Sequence, residues 1–390
     1  MKSLRLTALL TSLALVSGTS AVMAAPGIPA ADISRVFAQI SSSPTLAGPS
    51  MILIDRTSGE VIFQIDATSL RKPASILKLL STTAALQYID PNYRYVTRVA
   101  KGLTPRTLVI SGNLDPWMTD SYFEAKKYHR SWLSYLVNRS IIDLKTEGKS
   151  PLRNISISYS GLYSKDIALL KHEFVAKAIK AKFTQIRANR LESVSGQEIA
   201  KVTSPTVSEM VKFALTWSDN LLAERLARAA AHSVGYPMDD AGVALTIRKV
   251  LTDLQVDQSG LYIRDGSGLS HQDRVTAKLV AELLLKIRGD ARFAPIYEGL
   301  PVSGISGTLE SRFLKTAPQA VGLVHAKTGT LDGTVSLAGY VESGTHEYIF
   351  VAIADHIRKG EVAANQARNT LDRLLGKITA PLERDKEGMP

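Results

Sequence analysis

The stretch Pro73-Ala74-Ser75-Ile76-Leu77-Lys78-Leu79-Leu80 reads as the start of a buried helix with a serine and a lysine on one face. Proline is tolerated in a first helical turn, where its missing N–H costs no hydrogen bond. The run that follows, Ile76, Leu77, Leu79, Leu80, Ala84, Ala85 and Leu86, contains no Gly or Pro and fits a buried helix ending near Asp90-Pro91. At i, i+3 spacing, Ser75 and Lys78 are neighbours on its surface. Ser69-Leu-Arg-Lys72 has the same spacing, but Lys72 precedes Pro73, whose ring disfavours helical geometry there.

Two further strings follow in order, Ser218-Asp219-Asn220 and Lys327-Thr328-Gly329. The first interrupts a helical stretch from Thr206 to Ala231 with residues that favour caps and turns, and Asp219 suits the N-cap of the second half. The second lies at the end of a strand, Leu323 to Lys327. Ser111-Gly112-Asn113 also fits S-x-N, so the order and setting of the strings carry the reading.

A serine hydroxyl is a weak nucleophile without a nearby base, and Lys78 is one turn away from Ser75. A lysine of ordinary pKa, about 10.4, would be neutral in roughly one molecule in 2,500 at pH 7. Burial and a second cation, for which Lys327 is the candidate, would lower that value. Ser218 can both give and take a proton, and Asn220 offers an amide to a substrate peptide group. Lys327 with Thr328 and Thr330 suits a terminal carboxylate, and Gly329 allows close approach of a substrate backbone. The backbone N–H groups of Ser75 and Thr330 are candidate oxyanion donors. Together these residues predict acyl transfer through a serine ester.

Outward from the strings, Ser50–Asp55 and Glu60–Ile65 read as a β-hairpin turning at Thr57-Ser58-Gly59. Short strands at Thr107–Ile110 and Ile155–Ser158 and a basic helix from Lys171 to Arg190 mark an inserted subdomain. Val275–Ile287 reads as a helix after the loop Asp265-Gly266-Ser267-Gly268, which suits either a substrate-facing loop or a tight turn. Strands at Leu323–Lys327, Val335–Val341 and Tyr348–Ala354 and a helix over Val362–Leu375 complete the pattern. It predicts an α/β (α+β) fold, with one antiparallel sheet whose edges come from opposite ends of the chain, flanked by helices. Trp217 and Tyr340 are expected in the core.

The chain begins with Lys2 and Arg5, an apolar run from Leu6 to Val16, and small residues up to Ala24-Ala25, the pattern of a secretory signal peptide cut near Ala24. No apolar run reaches the roughly 20 residues of a membrane span. The expectation is an exported protein, periplasmic or at the cell wall, without a transmembrane anchor. With no cysteine, a disulfide framework and a thiol nucleophile are excluded. Formal charge is +11, or +9 after loss of Lys2 and Arg5, which favours anionic partners. No zinc finger, aromatic RNA-binding string or dense basic tract is present, so nucleic acid is not expected. His172-Glu173-Phe-Val-Ala176 opens like a metalloprotease helix but has alanine where a second histidine is required, so no metal site and no cofactor are expected.

The ordered triplet is the signature of penicillin-binding proteins and class A β-lactamases. The chain resembles the insertion-bearing D-alanyl-D-alanine carboxypeptidases and endopeptidases among the low-molecular-mass penicillin-binding proteins. The likeness includes Ser218-Asp-Asn-Leu-Leu-Ala-Glu224, Asp265-Gly-Ser-Gly-Leu-Ser270, Leu300-Pro-Val-Ser-Gly304, Gly307-Thr-Leu309 and Ala326-Lys-Thr-Gly-Thr-Leu331. It implies a transpeptidase-like fold over residues 45–98 and 203–376, an insertion at 99–202, a signal peptide at 1–24 and a charged tail at 377–390. It further implies Ser75 as nucleophile, Lys78 as base and Ser218 as proton relay. Asn220, Lys327, Thr328, Gly329 and Thr330 would bind substrate, with peptidoglycan stem peptides as partners and β-lactams as covalent inhibitors. Family members usually carry a considerably longer insertion between the first two strings. The competing readings are a β-lactam-sensing or wall-binding protein that keeps the fold, and a β-lactamase. The latter is disfavoured because no E-x-x-L-N string lies between Ser218 and Lys327.

Overall fold

The computed structural model describes residues 28–146, 152 and 154–381 of the 390. The expected signal peptide and residues 382–390 of the expected tail lie outside that range. Helix α1 (Ala30–Ser41) leads into strands β1 (Ser50–Asp55) and β2 (Val61–Ile65). A 3₁₀ turn at Ala74–Leu77 runs directly into α2 (Lys78–Tyr88). Then come β3 (Arg94–Gly102), β4 (Thr107–Ser111), β5 (Met118–Thr119), α3 (Tyr122–Tyr128), β6 (Ser131–Trp132), α4 (Leu133–Thr146), β7 (Asn154–Ser160), α5 (Ser164–Ala176), β8 (Lys180–Gln185) and β9 (Ser195–Thr206). Helices α6 (Val207–Thr216), α7 (Asn220–Ser233), α8 (Asp240–Asp253), α9 (Ala277–Ile287) and α10 (Ala294–Gly299) follow. The chain closes with β10 (Val324–Leu331), β11 (Thr334–Ser343), β12 (His346–Ala354) and α11 (Glu361–Gly376).

The first sheet has the order β10-β11-β12-β1-β2 and is antiparallel throughout, with edges from opposite ends of the chain as the sequence predicts. Every residue of β1 is buried because both faces are covered. Ile52 and Ile54 face one core with α2, α6, α7, α8 and α9, whereas Met51 and Leu53 face another with α1 and α11. Strand β12 divides the same way, Ile349, Val351 and Ile353 against Tyr348, Phe350 and Ala352.

A second sheet, β8-β7-β4-β3-β9, has its own apolar core with α4 and α5, built on Val99, Leu136, Ile157 and Phe174. Here the reading of Lys171–Arg190 as one helix is corrected. Helix α5 stops at Ala176, Ala178 takes a left-handed φ of 57°, and Lys180–Gln185 pairs in parallel with β7. No Gly or Pro marks the break, and pairing with the open edge of β7 outweighs local helix preference.

Candidate active site

Four backbone segments converge at one end of the first sheet. Ser75 lies in the 3₁₀ turn, and the Ser336 hydroxyl on β11 holds that turn by donating to the Pro73 carbonyl at 2.7 Å. Ser75 Oγ and Lys78 Nζ are 2.8 Å apart. Lys78 Nζ also donates to Asn220 Oδ1 and to the Ser267 carbonyl, each at 2.7 Å. A neutral amine has two protons and one lone pair. With its protons spent on Asn220 and Ser267, the lone pair of neutral Lys78 points at the Ser75 hydroxyl. Because lysine offers no acceptor when charged, Asn220 presents its oxygen to it.

The Lys78 side chain is completely buried. Burial drives its pKa down from the ordinary value to about 8, opposed by the negative charges of Asp265, Asp219 and Glu224. Lys327, also fully buried, is held well below the usual lysine range by burial and by the charge of Lys78. Lys327 Nζ donates to Ser218 Oγ at 2.9 Å and to the Thr328 carbonyl at 2.8 Å.

Ser218 occupies the short connection between α6 and α7 with a φ of 57°, a left-handed conformation unusual for serine. Asp219 caps α7, accepting from Leu222 N at 2.9 Å, which fixes Asn220 as the first helical residue. The other carboxylate oxygen of Asp219 accepts from buried Arg130, which follows α3, at 2.8 Å. Trp217, expected in the core, is instead 46% exposed beside the site, with Tyr128 of α3 against it at 6.3 Å between ring centres.

The loop Asp265–Gly268 is both tight turn and site wall. Asp265 accepts from the N–H groups of Ser267, Gly268 and Ser270, and Gly268 has a φ of 81° where a Cβ would lie 2.0 Å from the Ala74 carbonyl oxygen. Its contribution is the Ser267 carbonyl on Lys78, a backbone role that no side-chain pattern announces. Two other contacts escape sequence reading: Thr308 Oγ1 lies 2.7 Å from Thr328 Oγ1, and Arg368 of α11 donates to Thr330 Oγ1 at 3.1 Å.

Gly329 brings β10 against the 3₁₀ turn, since a Cβ there would lie 2.2 Å from Ser336 Oγ and 3.0 Å from Ser75 N. Strand β10 is an edge strand, and Ala326 N on its open side donates to the Pro301 carbonyl. Two-residue alternation puts the N–H groups of Thr328 and Thr330 on that same open side. The remaining sequence candidates separate from the site. Arg71 and Lys72 N bind Asp355, anchoring the approach to Pro73, and Asn113 bonds Val96 N and Tyr93 within the second sheet. Among the described residues no group of three His, Cys, Asp or Glu side chains is placed to hold a metal ion, and no helix is long and apolar enough to cross a membrane.

The family model of the D-Ala-D-Ala carboxypeptidase 3 (S13) family matches residues 33–131 and 144–378. The chain belongs to that family. It is thus a peptidase, a hydrolase. The carboxypeptidase DacB of Mycolicibacterium smegmatis is 27% identical over 368 residues, covering 81% of this chain and 80% of that protein. The D-alanyl-D-alanine carboxypeptidase of an Actinomadura species is 38% identical over 201 residues, 46% of this chain and 37% of that protein. Among solved structures, penicillin binding protein 4 (DacB) of Haemophilus influenzae superposes with a TM-score of 0.67 at 16% identity, covering 89% of this chain and 98% of that one. A predatory peptidoglycan endopeptidase of Bdellovibrio bacteriovorus gives 0.60 at 15% identity, covering 87% and 96%. At these identities the superpositions establish the fold, a penicillin-binding, β-lactamase-like architecture.

Proposed function

We propose that this member of the family is an exported serine D-Ala-D-Ala carboxypeptidase that trims peptidoglycan stem peptides through an acyl-Ser75 intermediate. Cleavage of the related D-Ala cross-link is a second activity of the same site, and penicillins acylate the same serine. The observation that carries the reading is the pair of acceptors, Asn220 Oδ1 and the Ser267 carbonyl, that aim the Lys78 lone pair at Ser75 Oγ.

In the proposed mechanism the substrate lies along the open side of β10, with its terminal carboxylate near Lys327, Thr328 and Thr330. The carboxylate stabilises the charged form of Lys327, and like-charge repulsion then favours neutral Lys78. Ser75 Oγ attacks the carbonyl carbon of the penultimate D-Ala while its proton passes to Lys78 Nζ. The N–H groups of Ser75 and Thr330 receive the developing oxyanion. The proton taken by Lys78 passes through Ser218 to the leaving nitrogen, the C–N bond breaks, and D-Ala departs. Water then attacks the ester, Lys78 accepts its proton and gives it to Ser75 Oγ as the C–O bond to the serine breaks, and the shortened stem peptide leaves as a carboxylic acid. Asn220 and Gly329 hold the substrate backbone. We also propose that residues 94–206 form the inserted subdomain, in place of the boundaries 99–202, because β3 and β9 belong whole to the second sheet.

The test is release of D-Ala from an acyl-D-Ala-D-Ala peptide by the mature protein and by Ser75→Ala. Release by the wild type alone is expected. Equal release by the variant would refute the serine assignment.

A further inference from the structure

Helix α11 packs beneath the first sheet, yet one of its side chains reaches the end of the edge strand that carries Lys327. Arg368 Nη2 donates to Thr330 Oγ1 at 3.1 Å, while Nη1 donates to Glu361 Oε1 at 2.6 Å and to Asn365 Oδ1 at 2.7 Å. Glu361 and Asn365 lie on the same helix, so the guanidinium is braced by its own element and offers its other amino group to β10. Its side chain is 21% exposed, and Thr330 is exposed.

We propose that Arg368 is a specificity-determining positioning residue that tunes the site for substrates ending in a free carboxylate. The inference rests on the substrate placement given above, and it follows from donor and acceptor bookkeeping. Arginine has no acceptor, so Thr330 Oγ1 receives this hydrogen bond. A threonine hydroxyl has one proton, which Arg368 leaves unspent and directs away from α11. That proton is a donor for an anionic oxygen, strengthened by the cation behind it. The guanidinium also adds a permanent positive charge beyond Lys78 and Lys327, both of which burial holds below the usual lysine range. A merely structural surface ion pair with Glu361 would give the helix a small stabilisation and leave substrate choice untouched.

The experiment compares wild type, Arg368→Gln and Arg368→Lys on an acyl-D-Ala-D-Ala peptide and on the same peptide with a C-terminal carboxamide, the latter also measured as a competitive inhibitor. Since the contact serves ground state and transition state alike, Arg368→Gln should raise KM for the carboxylate roughly tenfold with little change in kcat. The carboxamide should be bound and cleaved as before, so that the preference for the free acid falls by the same factor. Arg368→Lys should keep most of the preference, and the Tm of both variants should stay near that of wild type. Parallel loss on both peptides, or no change in the preference, would overturn the proposal. A wild type that cleaves neither peptide would instead remove the peptidase reading on which it stands.

Discussion

Lys78 has to be neutral to take a proton from Ser75, and burial has brought its pKa to about 8. A depressed lysine is charged below that value and free above it. The activity it supports should therefore be present above pH 8 and lost as pH falls through it, so that kcat/KM rises with pH with an apparent midpoint near 8. A pH–rate profile with its midpoint near 10.4, the ordinary lysine value, would contradict the assignment. Gly329 makes a second residue-scale prediction. The methyl group of Gly329→Ala would meet Ser336 Oγ, Pro73 O and Ser75 N, so β10 must move off the 3₁₀ turn. A displacement of about 1 Å at the reacting groups costs on the order of 100-fold in kcat/KM, to be read from D-Ala release, while the fold should persist. Ser75, Lys78, Ser218, Asn220 and Lys327 were legible because their settings are local: a serine and lysine one turn apart, a helix break, a strand, although β10 continues past Lys327 to Leu331 where the sequence suggested an end. The Ser267 carbonyl, Thr308 and Arg368 were not, because each joins the site through a tertiary contact that leaves no periodicity in the chain.

At the scale of elements, the connection between α6 and α7 is held from two sides. Asp219 caps α7 and also receives Arg130, whose side chain is 2% exposed. Asp219→Ala removes the cap, worth about 1 kcal/mol, and leaves the buried Arg130 guanidinium with only its longer contact to Glu124, at 3.4 Å. We predict a loss of about 3 kcal/mol in denaturant unfolding, with Asp219→Asn losing less because it keeps the capping oxygen. Asp219→Asn as stable as the wild type would show that Arg130 does not depend on this charge, and equal loss in the two variants would show that the cap contributes nothing. The cap was readable from Ser218-Asp219-Asn220, but the partner arginine was not, since it comes from a distant part of the chain. The strand β8 shows the converse difficulty. Its residues Lys180-Ala-Lys-Phe-Thr-Gln185 alternate only weakly, and the open edge of β7 decides their state. Trp217 was misplaced for a related reason, because a helix-breaking loop with Ser218 in a left-handed conformation turns an aromatic residue outward.

Across the whole molecule, the second sheet is tied to the helix that carries Asn220. Asp166 of α5 and Arg225 of α7 form a buried pair at 2.5 Å, with the Arg225 guanidinium 4.6 Å from the centre of the Tyr163 ring and a further bond to the Met118 carbonyl. Removing one partner strands the other charge, so Asp166→Ala should cost about 3–5 kcal/mol in unfolding free energy. It should also slow acylation, because α7 carries Asn220, one of the two acceptors of Lys78. Unchanged stability would mean that the two sheets fold independently of this contact. The antiparallel order of the first sheet was legible because hydrophobic strands stand at both ends of the chain. The second sheet was not, since β3 and β9 are half exposed and find each other across most of the insertion. The most direct test of the central claim is to incubate the mature protein with a fluorescent penicillin, digest it, and map the adduct by mass spectrometry. The account predicts one covalent label on the peptide containing Ser75, lost in Ser75→Ala; no label, or a label on another residue, would contradict it.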